Sequence, residues 1–179
     1  MYRLVPLILL LLAGCRSEPT PKPPENVLDP LLRKINNRLA LMEAVALNKQ
    51  FKNQPTADPE REAAMLKSLA EKAEGYSLKA DEVRWFFVAQ VDAAKQVQDY
   101  HRASWKKEKR PAPEIVPELA EIRQKIDRLN LELLDSLAKY RKNPADLETV
   151  RRRAAVLLTA SGITDESRKL AIAPLLSVP

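Results

Sequence analysis

Apolar residues recur at spacings of three and four through most of the chain. Leu31, Leu32, Ile35, Leu39, Met42, Val45 and Ala46 form one such stripe. At 3.6 residues per turn these positions share one face, so the pattern predicts an amphipathic helix from Asp29 to about Phe51. Asp29-Pro30 reads as its N-cap and first helical proline. A turn containing Pro55 leads to Asp58-Pro59, the same pair again, which opens a second helix ending near Gly75. The third helix starts around Lys79 to Asp81 and runs to about Lys107, where Arg110-Pro111-Ala112-Pro113 breaks the chain. A fourth covers roughly Pro117 to Tyr140, with Leu119, Ile122, Ile126, Leu129, Leu133 and Leu137 on one side. Asn143-Pro144 caps a fifth, to about Ala160, stopped by Gly162, and Thr164 starts a short sixth. There is no alternating strand pattern, internal repeat or glycine-rich phosphate loop. The expected fold is all-α, a bundle of about six helices over residues 29–179.

The first residues follow a different pattern. Arg3 gives a positive start, Val5 to Leu12 is an apolar run, and Ala13-Gly14-Cys15 follows. This has the shape of a secretory signal over residues 1–14 and is too short for a membrane span. Leu12-Ala13-Gly14-Cys15 resembles the bacterial lipobox, in which cleavage precedes a cysteine that then carries lipid. Cys15 is the one cysteine of the 179 residues. A lone thiol in an oxidising compartment needs a reason, and lipidation supplies one. Ordinary cleavage a few residues later is the plainer alternative. Residues 15–28 hold Pro19, Pro21, Pro23 and Pro24 and read as an extended tether. The expected location is the periplasm, with a lipid anchor at Cys15 as the one contact with a membrane.

Composition narrows the chemistry. Three glycines and an abundance of Ala, Leu, Glu, Lys and Arg favour helix. Aromatics make up 5% of the chain, so the core must be aliphatic. The formal charge is +6, from 30 basic and 24 acidic residues interleaved along the helices. Such mixing is the pattern of a solvated surface rather than of a nucleic-acid face, although a small anion held by a few buried cations would fit as well. His101 is the single histidine, which leaves triads and multi-histidine metal sites little to work with. No metal site is expected. Arg38 and Lys49 stand out. They lie eleven residues apart, about three turns, and so nearly on one face of the first helix, with Met42, Val45 and Ala46 between them. Cations on an apolar face need an anionic partner or are costly. Snorkelling to solvent, or pairing with helix carboxylates, is the open alternative.

At these residues the sequence resembles the all-helical chorismate mutases, and within them the secreted, periplasmic subclass. Arg38, the eleven-residue step to Lys49, the nine-residue step to Asp58, and Arg61-Glu62 match the family's active-site spacing. Asn36 to Met42, Asp58 to Glu62 and Phe86 to Val91 resemble the secreted subclass, as does Ile122 to Asn130 around Arg123. The resemblance covers about Asp29 to Tyr140. It implies a type II chorismate mutase fold and the rearrangement of chorismate, a small dicarboxylate, to prephenate. That step is unimolecular and pericyclic, so no cofactor, nucleophile or metal is implied. The enzyme's task is to hold a compact conformer and stabilise charge on the breaking ether oxygen.

The same resemblance implies roles. Arg38, Arg61 and Arg123 would clamp carboxylates. Lys49 would donate to the ether oxygen and to a nearby carboxylate, and Gln98 would be the second donor to the ether oxygen. Glu62, with the backbone near Asp58, would receive the ring hydroxyl; all seven residues are thus expected to bind substrate. Each residue also has an ordinary reading. Arg61 and Glu62 sit at a helix start, Arg123 has Asp127 one turn on, and Gln98 can be a surface amide. Two positions depart from the family pattern: Met65 stands where some secreted members carry a polar residue, and Ala94 where a small hydroxyl is found. Two other functions remain open on the residues, an isochorismate-pyruvate lyase of the same fold and a non-enzymatic helical envelope lipoprotein. Many secreted members pair, so a homodimer also stays open.

Overall fold

The computed structural model describes residues 26–109 and 115–177, all in helices and their connections. Seven α-helices and one 3-10 turn follow in order: α1 Leu28–Ala40, α2 Met42–Phe51, α3 Pro59–Glu71, the turn Ala73–Tyr76, α4 Ala80–Lys107, α5 Leu119–Lys142, α6 Leu147–Leu157 and α7 Asp165–Leu176. No strand occurs among the described residues. The leader, Cys15 and most of the proline-rich tether lie outside them, as does the break at Arg110 to Pro113.

The expected first helix is interrupted once. Leu41 keeps a right-handed helical conformation, but its N–H bonds to the Arg38 carbonyl at 3.3 Å, three residues back, before the regular ladder resumes with Val45 on Leu41. With α1 and α2 counted as one interrupted rod, the six expected helices are present. Their ends differ in detail. Asp29 is not the first cap: helix begins at Leu28, and the Asn26 side chain accepts the Asp29 N–H at 3.1 Å. The Asp29 carboxylate instead receives Arg153 of α6, tying the two helices together. Gly75 lies within the 3-10 turn, and the left-handed residue that reverses the chain is Ser77, at φ 58°. The cap of α6 is Asp146, whose Oδ1 accepts the Thr149 N–H at 2.8 Å, rather than Asn143. Asp58 and Thr164 do cap α3 and α7, the latter as a reciprocal capping box with Ser167.

The long α4 is the hub. It packs against α2, α3 and α7, while α1 lies against α5 and α6. Leu31, Leu32, Ile35 and Leu39 meet Phe86, Phe87, Leu133, Leu134, Leu137 and Tyr140 in a fully buried core. It is therefore not purely aliphatic as the composition implied: few as they are, three aromatics are spent at its centre. Each such apolar side chain contributes about 1.5–3 kcal/mol of transfer free energy on burial. Gly162 is required where the chain approaches α4: its φ is +80°, and a Cβ there would sit 2.6 Å from His101 Nε2. That imidazole nitrogen lies 3.1 Å from the Ser161 carbonyl. The packing leaves a space between α1, α2, α3, α4 and α5, and polar side chains enter it from every one of these helices.

Candidate active site

Arg38, Lys49, Asp58, Arg61, Glu62, Gln98 and Arg123 all line one cavity of about 90 Å³, together with Thr56 and Lys95 and the apolar Met42, Val45, Met65, Val91, Ala94, Leu119 and Ile126. Every one of these groups comes from the same chain. Its lining carries five cations, Arg38, Lys49, Arg61, Lys95 and Arg123, against the two carboxylates of Asp58 and Glu62. A space so biased, with low-dielectric walls, favours an anion bearing more than one negative charge.

Arg38 is almost wholly buried and makes no ion pair among the described residues. Its Nε donates to Asn130 Oδ1 and its Nη1 to the Gln90 carbonyl, both at 3.0 Å. Loss of hydration pulls its pKa down to about 10, with Asp127 opposing the fall, so the guanidinium remains charged at neutral pH. Two neutral acceptors thus orient the fork, and the one carboxylate that supports its charge, Asp127, is hydrogen-bonded to Arg61 instead. Lys49 is equally buried, and its Nζ donates to the Thr56 carbonyl at 2.5 Å. Burial holds this ammonium below the ordinary lysine range; Asp58 and Glu62 oppose the shift, while Arg123 and Arg102 add to it.

The other two arginines are paired with aspartates of the chain itself. Arg123 Nη2 meets Asp58 Oδ2 at 2.5 Å, and Arg61 Nη2 meets both oxygens of Asp127 at 3.0 and 3.1 Å. Asp127 lies one turn from Arg123 in the sequence, yet across the bundle it is Arg61 that takes it. Asp58 has three tasks at once. Its Oδ1 caps the Arg61 N–H at 3.4 Å, its Oδ2 holds Arg123, and its own N–H donates to Glu62 Oε1 at 3.0 Å. Glu62 Oε2 in turn faces Lys95 at 3.4 Å. Burial works against the Lys95 charge, but Asp92 and Glu62 outweigh it and raise its pKa. These pairs are partly exposed, so they are exchangeable contacts of small net worth.

Gln98 is buried on α4. Its Nε2 donates to the Ala94 carbonyl at 3.2 Å and faces Met42 Sδ at 3.7 Å, while its Oε1 finds no partner among the described residues. A thioether is a weak acceptor. The N–H turned toward Met42 is therefore the one that a better acceptor in the cavity would capture.

Four participants were missed in the sequence: Lys95, Thr56, Asn130 and the Gln90 carbonyl. Asn130 did leave a signal, since it interrupts the stripe Ile126, Leu133, Leu137 at helical spacing and is buried there. Its Nδ2 also reaches Met65 Sδ at 3.3 Å. For the other three the contacts that tie them to the cavity are made across the fold, Lys95 with Glu62, Thr56 with Asp99 and the Gln90 carbonyl with Arg38. The local Asp92–Lys95 pair looks like any surface ion pair.

The chain is similar in sequence and fold to known proteins. The sequence profile of chorismate mutase type II matches residues 29–99, a span that holds Arg38, Lys49, Asp58, Arg61, Glu62 and Gln98 but not Arg123. The secreted chorismate mutase of Mycolicibacterium smegmatis is 30% identical over 136 residues, 76% of this chain and 75% of that protein. The secreted chorismate mutase of Yersinia pestis is 31% identical over 115 residues, 63% of this chain and 61% of the relative. Among solved structures, chorismate mutase from Burkholderia thailandensis superposes with a TM-score of 0.73 at 30% identity, covering 84% of this chain and 99% of that one. The crystal structure of the Yersinia pestis protein gives 0.70 at 24% identity, a likeness of fold.

Proposed function

The chain belongs to the type II chorismate mutases, and we propose that it rearranges chorismate to prephenate in the cavity between α1 and α5. The observation that carries this reading is the convergence of Arg38, Lys49, Arg61, Gln98 and Arg123 on one cavity with an excess of positive charge. In the reaction the ether C–O bond breaks as a new C–C bond forms, within one molecule and with no atom gained or lost. Arg38, already oriented by Asn130 and Gln90, receives one carboxylate of the substrate. Arg123 and Arg61 exchange their aspartates for substrate oxygens, trading one charge-assisted pair for another. Lys49 and Gln98 donate to the ether oxygen, where negative charge builds only as the bond breaks. A donor aimed at charge that develops in the transition state lowers the barrier, whereas one that binds substrate equally well does not. Glu62, with the Asp58 N–H beside it, receives the ring hydroxyl.

Purified protein incubated with chorismate should consume it and yield prephenate. Release of salicylate and pyruvate from isochorismate, with chorismate left unchanged, would assign the chain to lyase chemistry on the same fold, and no turnover of chorismate would overturn the reading. The secreted relatives support export from the cytoplasm. Within that, residues 1–14 act as the signal, and Cys15 carries lipid that tethers the domain on the periplasmic side. Wild-type protein should incorporate labelled fatty acid and Cys15→Ala should be released with unchanged activity; absence of label on the wild type would remove the anchor.

A further inference from the structure

Lys49 has two places to put its charge. It lines the interior cavity, and it also lines an adjoining recess of about 410 Å³ whose walls include Gln54, Pro55, Ala57 and Glu60. A four-carbon stem can reach either. The ammonium is held at the boundary by the Thr56 carbonyl, so whatever fixes that carbonyl decides where the charge goes.

Thr56 stands in the connection between α2 and α3, most of which is exposed. Backbone bonds secure the start of this loop, ending with the Gln54 N–H on the Lys49 carbonyl at 2.7 Å. Past Gln54 the loop is gripped by side chains of α4. The Thr56 hydroxyl donates to Asp99 Oδ1 at 2.6 Å, and Arg102 Nη1 donates to Thr56 Oγ1 at 3.1 Å and to the Gln54 carbonyl at 3.0 Å. Asp99 and Arg102 are three residues apart on one helix face and directly follow Gln98. The helix that presents one donor to the cavity therefore also holds the carbonyl that orients the other.

We propose that Asp99 and Arg102 are positioning residues for Lys49, gripping the loop at Thr56 so that its carbonyl keeps the ammonium in the cavity. The inference rests on the reading of Lys49 as donor to the ether oxygen. Three hydrogen bonds, two at Thr56 and one at Gln54, restrict the loop where a single exposed bond would not. Without them the carbonyl is free to shift, and Lys49 follows it toward the adjoining recess. A misplacement of ~1 Å in a donor can cost on the order of 100-fold in rate. Substrate binding through the arginines is untouched, so the loss falls on kcat rather than KM.

The test measures chorismate turnover by full-length Asp99→Ala, Arg102→Ala and Thr56→Val, each alone and combined with Lys49→Ala. In the otherwise wild-type protein each should lower kcat by roughly tenfold with KM within about twofold, an effect smaller than full loss of the donor. Asp99→Asn and Thr56→Ser keep an acceptor and a hydroxyl at the same places and should recover most of the rate. In the Lys49→Ala background the three substitutions should cost nothing further, because the group they position is gone. Unchanged kcat in Asp99→Ala and Thr56→Val would overturn the inference, and so would an equal loss in both backgrounds. Wild-type turnover by Lys49→Ala itself would instead remove Lys49 from the mechanism, and with it the premise.

Discussion

Gln98→Glu separates a donor from a space-filler at the bottom of the cavity. The glutamine presents two N–H groups, one spent on the Ala94 carbonyl at 3.2 Å and one turned toward Met42 Sδ at 3.7 Å. Glutamate has the same length but no N–H, and it donates through a single O–H only while protonated. Two features favour that protonated form. The position is 5% exposed, and a carboxylate would face the Ala94 carbonyl oxygen, acceptor against acceptor. Lys49 and the other cations of the lining pull the other way, and burial and the facing carbonyl are expected to outweigh them. The introduced carboxyl should therefore titrate above the ordinary ~4.3 of a glutamate. Below its midpoint the acid donates to the ether oxygen. Above the midpoint the donor is lost and a negative charge faces the charge that builds there. kcat/KM of the variant should fall about tenfold per pH unit above the midpoint, toward a floor ~100- to 1,000-fold below wild type, some 2.7–4 kcal/mol of transition-state stabilisation. The wild type, whose amide donates at any ordinary pH, should stay flat over the same neutral range. Initial rates of chorismate loss, measured at constant ionic strength across the pH series, give both profiles. A variant profile that overlays the wild type would remove Gln98 from the mechanism; a loss that is the same at every pH would reduce it to packing.

Lys49→Ala should lower kcat by ~100-fold or more, whereas Arg123→Ala should act chiefly on KM; near wild-type turnover in both variants would refute the assigned roles. The buried Lys49 ammonium loses its proton at lower pH than an ordinary lysine. The alkaline fall of kcat/KM should therefore begin below that range, while that of kcat, with two bound carboxylates holding the charge, should come at higher pH. Coincident alkaline limbs would show that Lys49 does not set them. Gly162→Ala forces a side chain into the left-handed region and against His101, so it should cost about 2–4 kcal/mol and lower Tm by roughly 5–15 °C, read by thermal melts. Below the transition its kcat should be unchanged, and a melt identical to wild type would contradict the close approach of Gly162 to α4.

The helices could be read because each carries its own evidence locally. Apolar residues spaced by three and four mark a face wherever the chain runs, and Asp58-Pro59 and Thr164 announce a helix start through bonds made within one turn. Where such a signal misled, a tertiary partner had taken the residue. Asp29 looked like a cap, but its carboxylate is engaged 124 residues away by Arg153. Arg38 and Lys49 could be assigned to one face because a single helical rod relates them, and the brief interruption at Leu41 does not undo that. The matches of Arg61, Gln98 and Arg123 depended on resemblance, since nothing in local periodicity says which helices meet.

By itself, then, the sequence determined the class of fold, most helix spans and the identity of the charged groups that face inward, Lys95 excepted. Only the tertiary structure decided how those groups are paired. Arg61 takes Asp127 from α5, Arg123 takes Asp58 across 65 residues, Arg38 rests on Asn130 and the Gln90 carbonyl, and Lys49 is steered by a loop that α4 holds from outside. The physical reason lies in range. Helix formation and amphipathic burial are governed by neighbours within a turn or two, so they are written locally. A hydrogen bond needs its atoms within about 3 Å, and which atoms come that close is settled only when the helices have packed.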